Sequence, residues 1–126
     1  EAGESDATIR PATEAEIANL ERLNARFAAS GDPKVAAQWN RQFHARLYDA
    51  ARNRYLRQAV EDLQETIALL PDTTFIQPGR TTTATDEHVA IIEAIRRRDS
   101  EGAEKAAVGH IKAALEVRLV ITRTES

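Results

Sequence analysis

The chain contains three histidines, His44, His88 and His110, and each falls in the apolar stripe of a helical stretch. A residue on an α-helix is turned about 100° from its predecessor. By that count His88 is central among Ala84, Ile91, Ile92 and Ile95, and His110 among Ala103, Ala107, Ala114, Val117 and Ile121. His44 lies among Leu47, Tyr48 and Ala51, in a wide apolar arc that also takes in Trp39 and Phe43. Asn40 stands one turn before His44 on the same face. An apolar stripe covers about a third of a helix's circumference, more for the second helix, so chance alignment of all three histidines is roughly one in twenty. A buried imidazole needs a partner for each ring nitrogen, and burial opposes its charged form. Either each histidine is satisfied separately by hydrogen bonds, or three neutral imidazoles and the Asn40 amide oxygen converge on a divalent transition metal. The coincidence of all three favours a shared site.

The elements that must position these side chains are helices. Thr13-Glu14-Ala15-Glu16 reads as a capping box opening a helix over 13–30, with Ile17, Leu20, Leu23 and Phe27 as its apolar stripe. Gly31-Asp32-Pro33 supplies a C-terminal cap, an N-cap and a first-turn proline for a second helix over 33–51. After a jog near Asn53, Leu56, Val60, Leu63 and Ile67 predict a third helix over 54–70. A loop of about a dozen residues follows, long for a bundle connection and lid-like in character. It contains Pro78-Gly79 and the run Thr81-Thr82-Thr83. A fourth helix is expected over 83–98 and, after Asp99-Ser100 as a cap, a fifth over 100–122. No strand pattern or internal repeat is present. The expected fold is all-α, an antiparallel bundle of about five helices. Residues 1–12 form an irregular N-terminal segment and 13–126 the domain.

Composition bounds the function. The chain has 126 residues, 42% hydrophobic and 29% charged, the profile of a single globular domain. A net charge of −3 argues against direct nucleic-acid binding, which needs a basic face. The absence of cysteine excludes disulfides and thiolate metal sites and fits a cytoplasmic setting. No apolar run approaches the roughly 20 residues of a membrane span. The chain opens at Glu1 rather than at methionine, which leads us to expect a fragment of a longer protein.

Taken together, Asn40-Arg41-Gln42-Phe43-His44, Asn53, Leu56, Glu87-His88, Ile91, Ala94, Ile95, Asp99, Ala103 and His110-Ile111 make a recognisable pattern. In this order the chain, from about Thr13 to Leu119, resembles the FCD ligand-binding domain, the C-terminal half of one subfamily of GntR-type transcriptional regulators. The resemblance implies a helical bundle that forms a homodimer and binds a small organic acid. It also implies that His44, His88 and His110 ligate a divalent metal, zinc or nickel, with Asn40 in the fourth position. DNA would be bound only through a winged helix-turn-helix domain that is not recognisable in residues 1–12. The family usually has Asp where this chain has Asn40, so the ligand set lacks a negative charge.

Similar domains often carry an arginine at the offset of Arg80 from Glu87-His88, where it clamps a ligand carboxylate in a bidentate pair. The alternative for Arg80 is a solvated loop arginine. Tyr48 borders the His44 face, where its hydroxyl reaches ligand or water, or its ring packs in the core. Arg41, Arg46 and the run Arg96-Arg97-Arg98 read as solvated charge, and Trp39 and Phe43 as core or dimer-interface residues. Two other functions compete with the sensor: a metal-dependent enzyme acting on a small metabolite, and a dimerisation bundle without ligand. Against the enzyme, HExxH is absent, and Glu87, the acid adjoining a candidate ligand, is expected to face outward.

Overall fold

The chain folds as Thr13 predicts at its first turn. In the computed structural model, which describes residues 12–51, 58, 61 and 74–125, α1 (Glu14–Ala29) opens on a reciprocal cap. Glu16 N–H donates to Thr13 Oγ1 at 3.1 Å and Thr13 N–H to Glu16 Oε1 at 2.9 Å, satisfying two otherwise unpaired donors. The helix ends at Ser30, whose amide and hydroxyl both donate to the Phe27 carbonyl. Gly31, expected as the capping glycine, is not in the left-handed region that such a cap uses.

Helix α2 (Pro33–Ala51) begins with Asp32 accepting from Lys34 N–H at 2.8 Å, with proline in the position where a missing N–H costs nothing. The expected third helix lies outside the described residues, apart from Gln58 and Glu61, both helical. The chain resumes with a short 3₁₀ turn, η1 (Thr74–Ile76), whose Phe75 packs edge-on against Phe27 at 5.0 Å between centroids. Gly79, at φ 81°, then turns the backbone into α3 (Arg80–Arg96).

Helix α3 therefore starts three residues before the expected Thr83. The threonine run, expected in the loop, is instead its first turn. Two hydroxyls bond back along the helix: Thr83 Oγ1 donates to Gly79 O and Thr85 Oγ1 to Thr81 O. At the other end Arg98 takes a positive φ of 58°, and the amides of Arg98 and Asp99 donate to the carbonyls of Ile95 and Ala94. That pair of bonds is a Schellman closure with arginine in the place glycine usually fills. Asp99 then caps α4 (Ser100–Glu125) by accepting from Gly102 N–H at 2.9 Å.

The tight turns force α1 against α2 and α3 against α4 as antiparallel pairs, and α1 also packs on α3. The described residues contain no strand, so the all-α bundle stands. The main core joins Ile17 and Leu20 of α1 to Phe43 and Leu47 of α2, Ile91 and Ile92 of α3, and Ala103 and Ala107 of α4. Phe43 is thus a core residue. Trp39 lies at the edge of a second cluster built on Phe27 and Ala84, with the Arg26 guanidinium 5.2 Å from its ring centre. Arg41 and Arg46 are exposed, as expected. No described helix is long and apolar enough to cross a membrane.

Candidate metal centre

Three helices each deliver one imidazole to the same point. His44 comes from α2, His88 from α3 and His110 from α4, all buried, and one ligating nitrogen of each lies within 4.8 Å of the others. His44 Nε2 and His110 Nε2 are 3.2 Å apart. The His88 ring stacks on Phe43 at 4.1 Å between centroids and leans on Phe27 at 5.1 Å. Its rotamer is therefore held by packing.

Hydrogen bonds fix which nitrogen faces inward. Asn24 Nδ2 donates to the Thr85 carbonyl at 3.2 Å, which turns Asn24 Oδ1 towards His88 Nδ1 at 2.8 Å. An amide oxygen only accepts, so His88 Nδ1 carries the proton and Nε2 the lone pair. That Nε2 is buried and has no hydrogen-bond partner. His110 Nδ1 lies 2.5 Å from Glu87 Oε1, and a carboxylate also only accepts. His110 Nδ1 is therefore the donor, and Nε2 is the nitrogen turned towards His44.

Glu87 is held in turn by Arg80, which donates from Nη1 to Oε2 and from Nη2 to Oε1, both at 2.9 Å. This bidentate pair is shielded from solvent, with the Arg80 side chain 3% exposed and that of Glu87 20%. Burial pushes the Glu87 carboxyl up, but the hydrogen bonds from His110 and Arg80 and the charge of Arg80 outweigh it and hold the group below its ordinary range. Burial, reinforced by repulsion from His110, pushes His44 down to about 3. Burial first, then repulsion from His110, His44 and Arg80, drives His88 down as well. Neutral imidazoles are what a metal needs, because protonated nitrogens cannot ligate.

Asn40 sits one turn before His44 on α2, and its Oδ1 is buried without a hydrogen-bond partner. Two orphaned acceptors, Asn40 Oδ1 and His88 Nε2, together with the close His44–His110 pair, fit a divalent transition ion. In structures such buried groups are otherwise almost always satisfied.

The structure corrects the expectation for Glu87. It does not face outward: it is bonded to His110 of α4, the helix packed against α3. Arg80 is not a solvated loop residue but the buried first residue of α3. Tyr48 stands on α2, but its side chain is outside the described residues. Asn24 was missed by sequence reasoning, yet a signal existed: it occupies the same stripe as Ile17, Leu20 and Phe27, as a polar residue at an apolar position.

Beside this centre a cleft of about 360 Å³ runs between the η1–α3 junction and α4. Arg80 and Glu87 line its inner wall, with Gly79 and Thr83 on one side and Ala113, Glu116 and Val117 on the other.

Comparison with known proteins places these features in context. The FCD domain family matches residues 5–113. A protein of Escherichia coli (strain K12), named as a regulatory protein of an L-lactate dehydrogenase operon, is 30% identical over 86 residues, 65% of this chain and 33% of the relative. A Shigella flexneri protein of the same name matches with the same identity and coverage. The matched stretch thus spans about a third of the length of these curated relatives. No solved structure matches the chain.

Proposed function

This chain belongs to the FCD domain family, and on that premise we propose that it is the effector-sensing and dimerisation domain of a GntR-type transcriptional regulator. Its site holds a divalent transition metal through His44, His88, His110 and Asn40, and the ion supplies open coordination positions for a small organic acid. The carboxylate of the acid is drawn from the neighbouring cleft by Arg80. Ligand binding biases the geometry of a homodimer and so the DNA binding of a separate domain, in the cytoplasm. The relatives are named for an L-lactate dehydrogenase operon, which makes 2-hydroxy acids the first class to test.

The observation that carries this reading is the inward-facing His88 Nε2, buried and unpartnered beside the His44–His110 pair. A set of separately satisfied histidines leaves no such orphan. The residues around the ion would bind and orient rather than react. The carboxylate next to it, Glu87, is tied to Arg80 and His110, which leaves no general base beside the ion among the described residues, so a sensor is preferred to an enzyme.

The test is metal analysis of the purified protein, followed by calorimetric titration of zinc or nickel and then of L-lactate and related acids into the loaded and the metal-free forms. Stoichiometric metal, with acid binding only to the loaded form, is the expected result. Acid turnover would favour the enzyme. No metal and no acid binding would leave only a dimerisation bundle.

A further inference from the structure

Glu87 lies one residue from a proposed ligand and touches another, but it faces the ion only through His110. Its two oxygens accept a bidentate pair from Arg80, seven positions earlier on the same helix, whereas the usual ion pairs along a helix surface are three or four apart. Spanning two turns with an arginine side chain that is 3% exposed is a costly arrangement for mere surface charge. The same carboxylate accepts a hydrogen bond from His110 Nδ1 at 2.5 Å. Arg80, Glu87 and His110 thus form one continuous chain from the cleft wall to the centre of the bundle.

From this juxtaposition we infer that Glu87 is the positioning residue of the centre. It fixes His110 with Nε2 unprotonated and supplies, through the imidazole, the negative charge that Asn40 does not contribute, while Arg80 governs how much of that charge reaches the ion. The inference rests on the metal reading above and deepens it. Three imidazoles and an amide leave a divalent ion's charge uncompensated among its direct ligands. A carboxylate bonded to the far nitrogen of a ligating histidine makes that histidine a stronger donor. Arg80 opposes this by drawing the carboxylate towards itself. An acid that occupies Arg80 from the cleft therefore releases Glu87 to His110 and tightens the hold on the ion. Effector and metal are coupled through one side chain.

The role has a signature that a structural brace lacks, because two substitutions in one ion pair must act in opposite directions. In calorimetric titrations of Zn²⁺ alone into the intact chain, Glu87→Gln, which keeps size and loses charge, lowers affinity by about 10- to 100-fold. Arg80→Gln, which frees the carboxylate, raises it. In the metal-free protein, ¹⁵N imidazole shifts report His110 as the Nδ1–H tautomer, and Glu87→Ala abolishes that preference. Zn²⁺ affinity in Glu87→Gln within about a factor of two of wild type, or a fall in both variants, would overturn the inference while leaving the metal reading intact. Should Arg80→Gln fail to fold, the wild-type and Glu87→Gln titrations decide alone. Failure of the wild-type chain to bind Zn²⁺ overturns the metal reading and this inference together.

Discussion

Asn24 on α1 and His88 on α3 are joined by a 2.8 Å hydrogen bond across 64 residues of sequence, with the imidazole Nδ1 donating to the amide oxygen. The other half of the amide donates to the Thr85 carbonyl. One buried side chain therefore sets the tautomer of a proposed metal ligand and ties α1 to α3. Asn24→Ala leaves the His88 Nδ1 proton buried without an acceptor, at a cost of about 1–3 kcal/mol. Urea denaturation should show that loss, and Zn²⁺ affinity should fall with it because Nε2 is no longer the fixed lone pair. A variant as stable as wild type would mean that water or another group takes the proton.

The metal-free protein should lose stability in mild acid. In the unfolded chain His44 and His88 take up protons as pH falls through about 6.5, whereas in the folded chain burial keeps His44 neutral down to about 3 and depresses His88 in the same direction. The unfolded state then binds more protons than the folded one. Stability is complete above about pH 6.5 and declines below it, by roughly 1.4 kcal/mol per pH unit for each histidine. Chelator-treated protein unfolded in urea at pH 7, 6 and 5 measures the slope. A flat profile would contradict the buried neutral imidazoles.

Asn40→Asp should change the balance between metal and acid. A carboxylate at position 40 would offset one of the ion's two charges inside the bundle, so the variant should bind metal more tightly on its own. In the wild-type chain, metal and organic acid should each raise the affinity for the other, by about 1–3 kcal/mol. That coupling should shrink in the variant. Titrations with and without hydroxy acids read both effects. Equal metal affinity in the two proteins at every acid concentration would exclude the charge argument.

Self-association should depend on the outer face of α4. Leu115 is 38% exposed and Leu119 60% exposed, one turn apart on one face. Apolar side chains paired in this way are a natural contact for a second copy. Sedimentation should find dimers for the wild-type chain and a shift towards monomer for Leu119→Lys, with the helical content unchanged. Monomer alone at high concentration in the wild type would remove the homodimer from the proposal.

Much of this arrangement was legible in the sequence, and the parts that were not share one cause. Caps are local, so Thr13, Asp32 and Asp99 marked their helix starts correctly. Periodicity is also local, and it put all three histidines on inward faces. It reports an angle about one helix axis, however, not which neighbour fills that angle. Glu87 was therefore assigned to solvent when α4 in fact lies over it, and the convergence of the three rings at one depth was beyond reach. Arg80 and the threonine run were misplaced for a different reason. Their helix is nucleated by the left-handed Gly79 and supported by η1 and the ion pair to Glu87, all of which outweigh weak intrinsic propensity.

His44 and His110 stand 66 residues apart in sequence, with His88 between them, on three separate helices. An ion gripped by all three closes long loops that the unfolded polypeptide leaves open, and such closures reward a cross-link most. Loading then does more than fill a pocket. Without it, amides of α2, α3 and α4 should exchange with solvent at separate rates. With it they should open together, and exchange in all three should slow to a common value. On the proposed reading, occupancy at one point becomes stiffness shared by three helices.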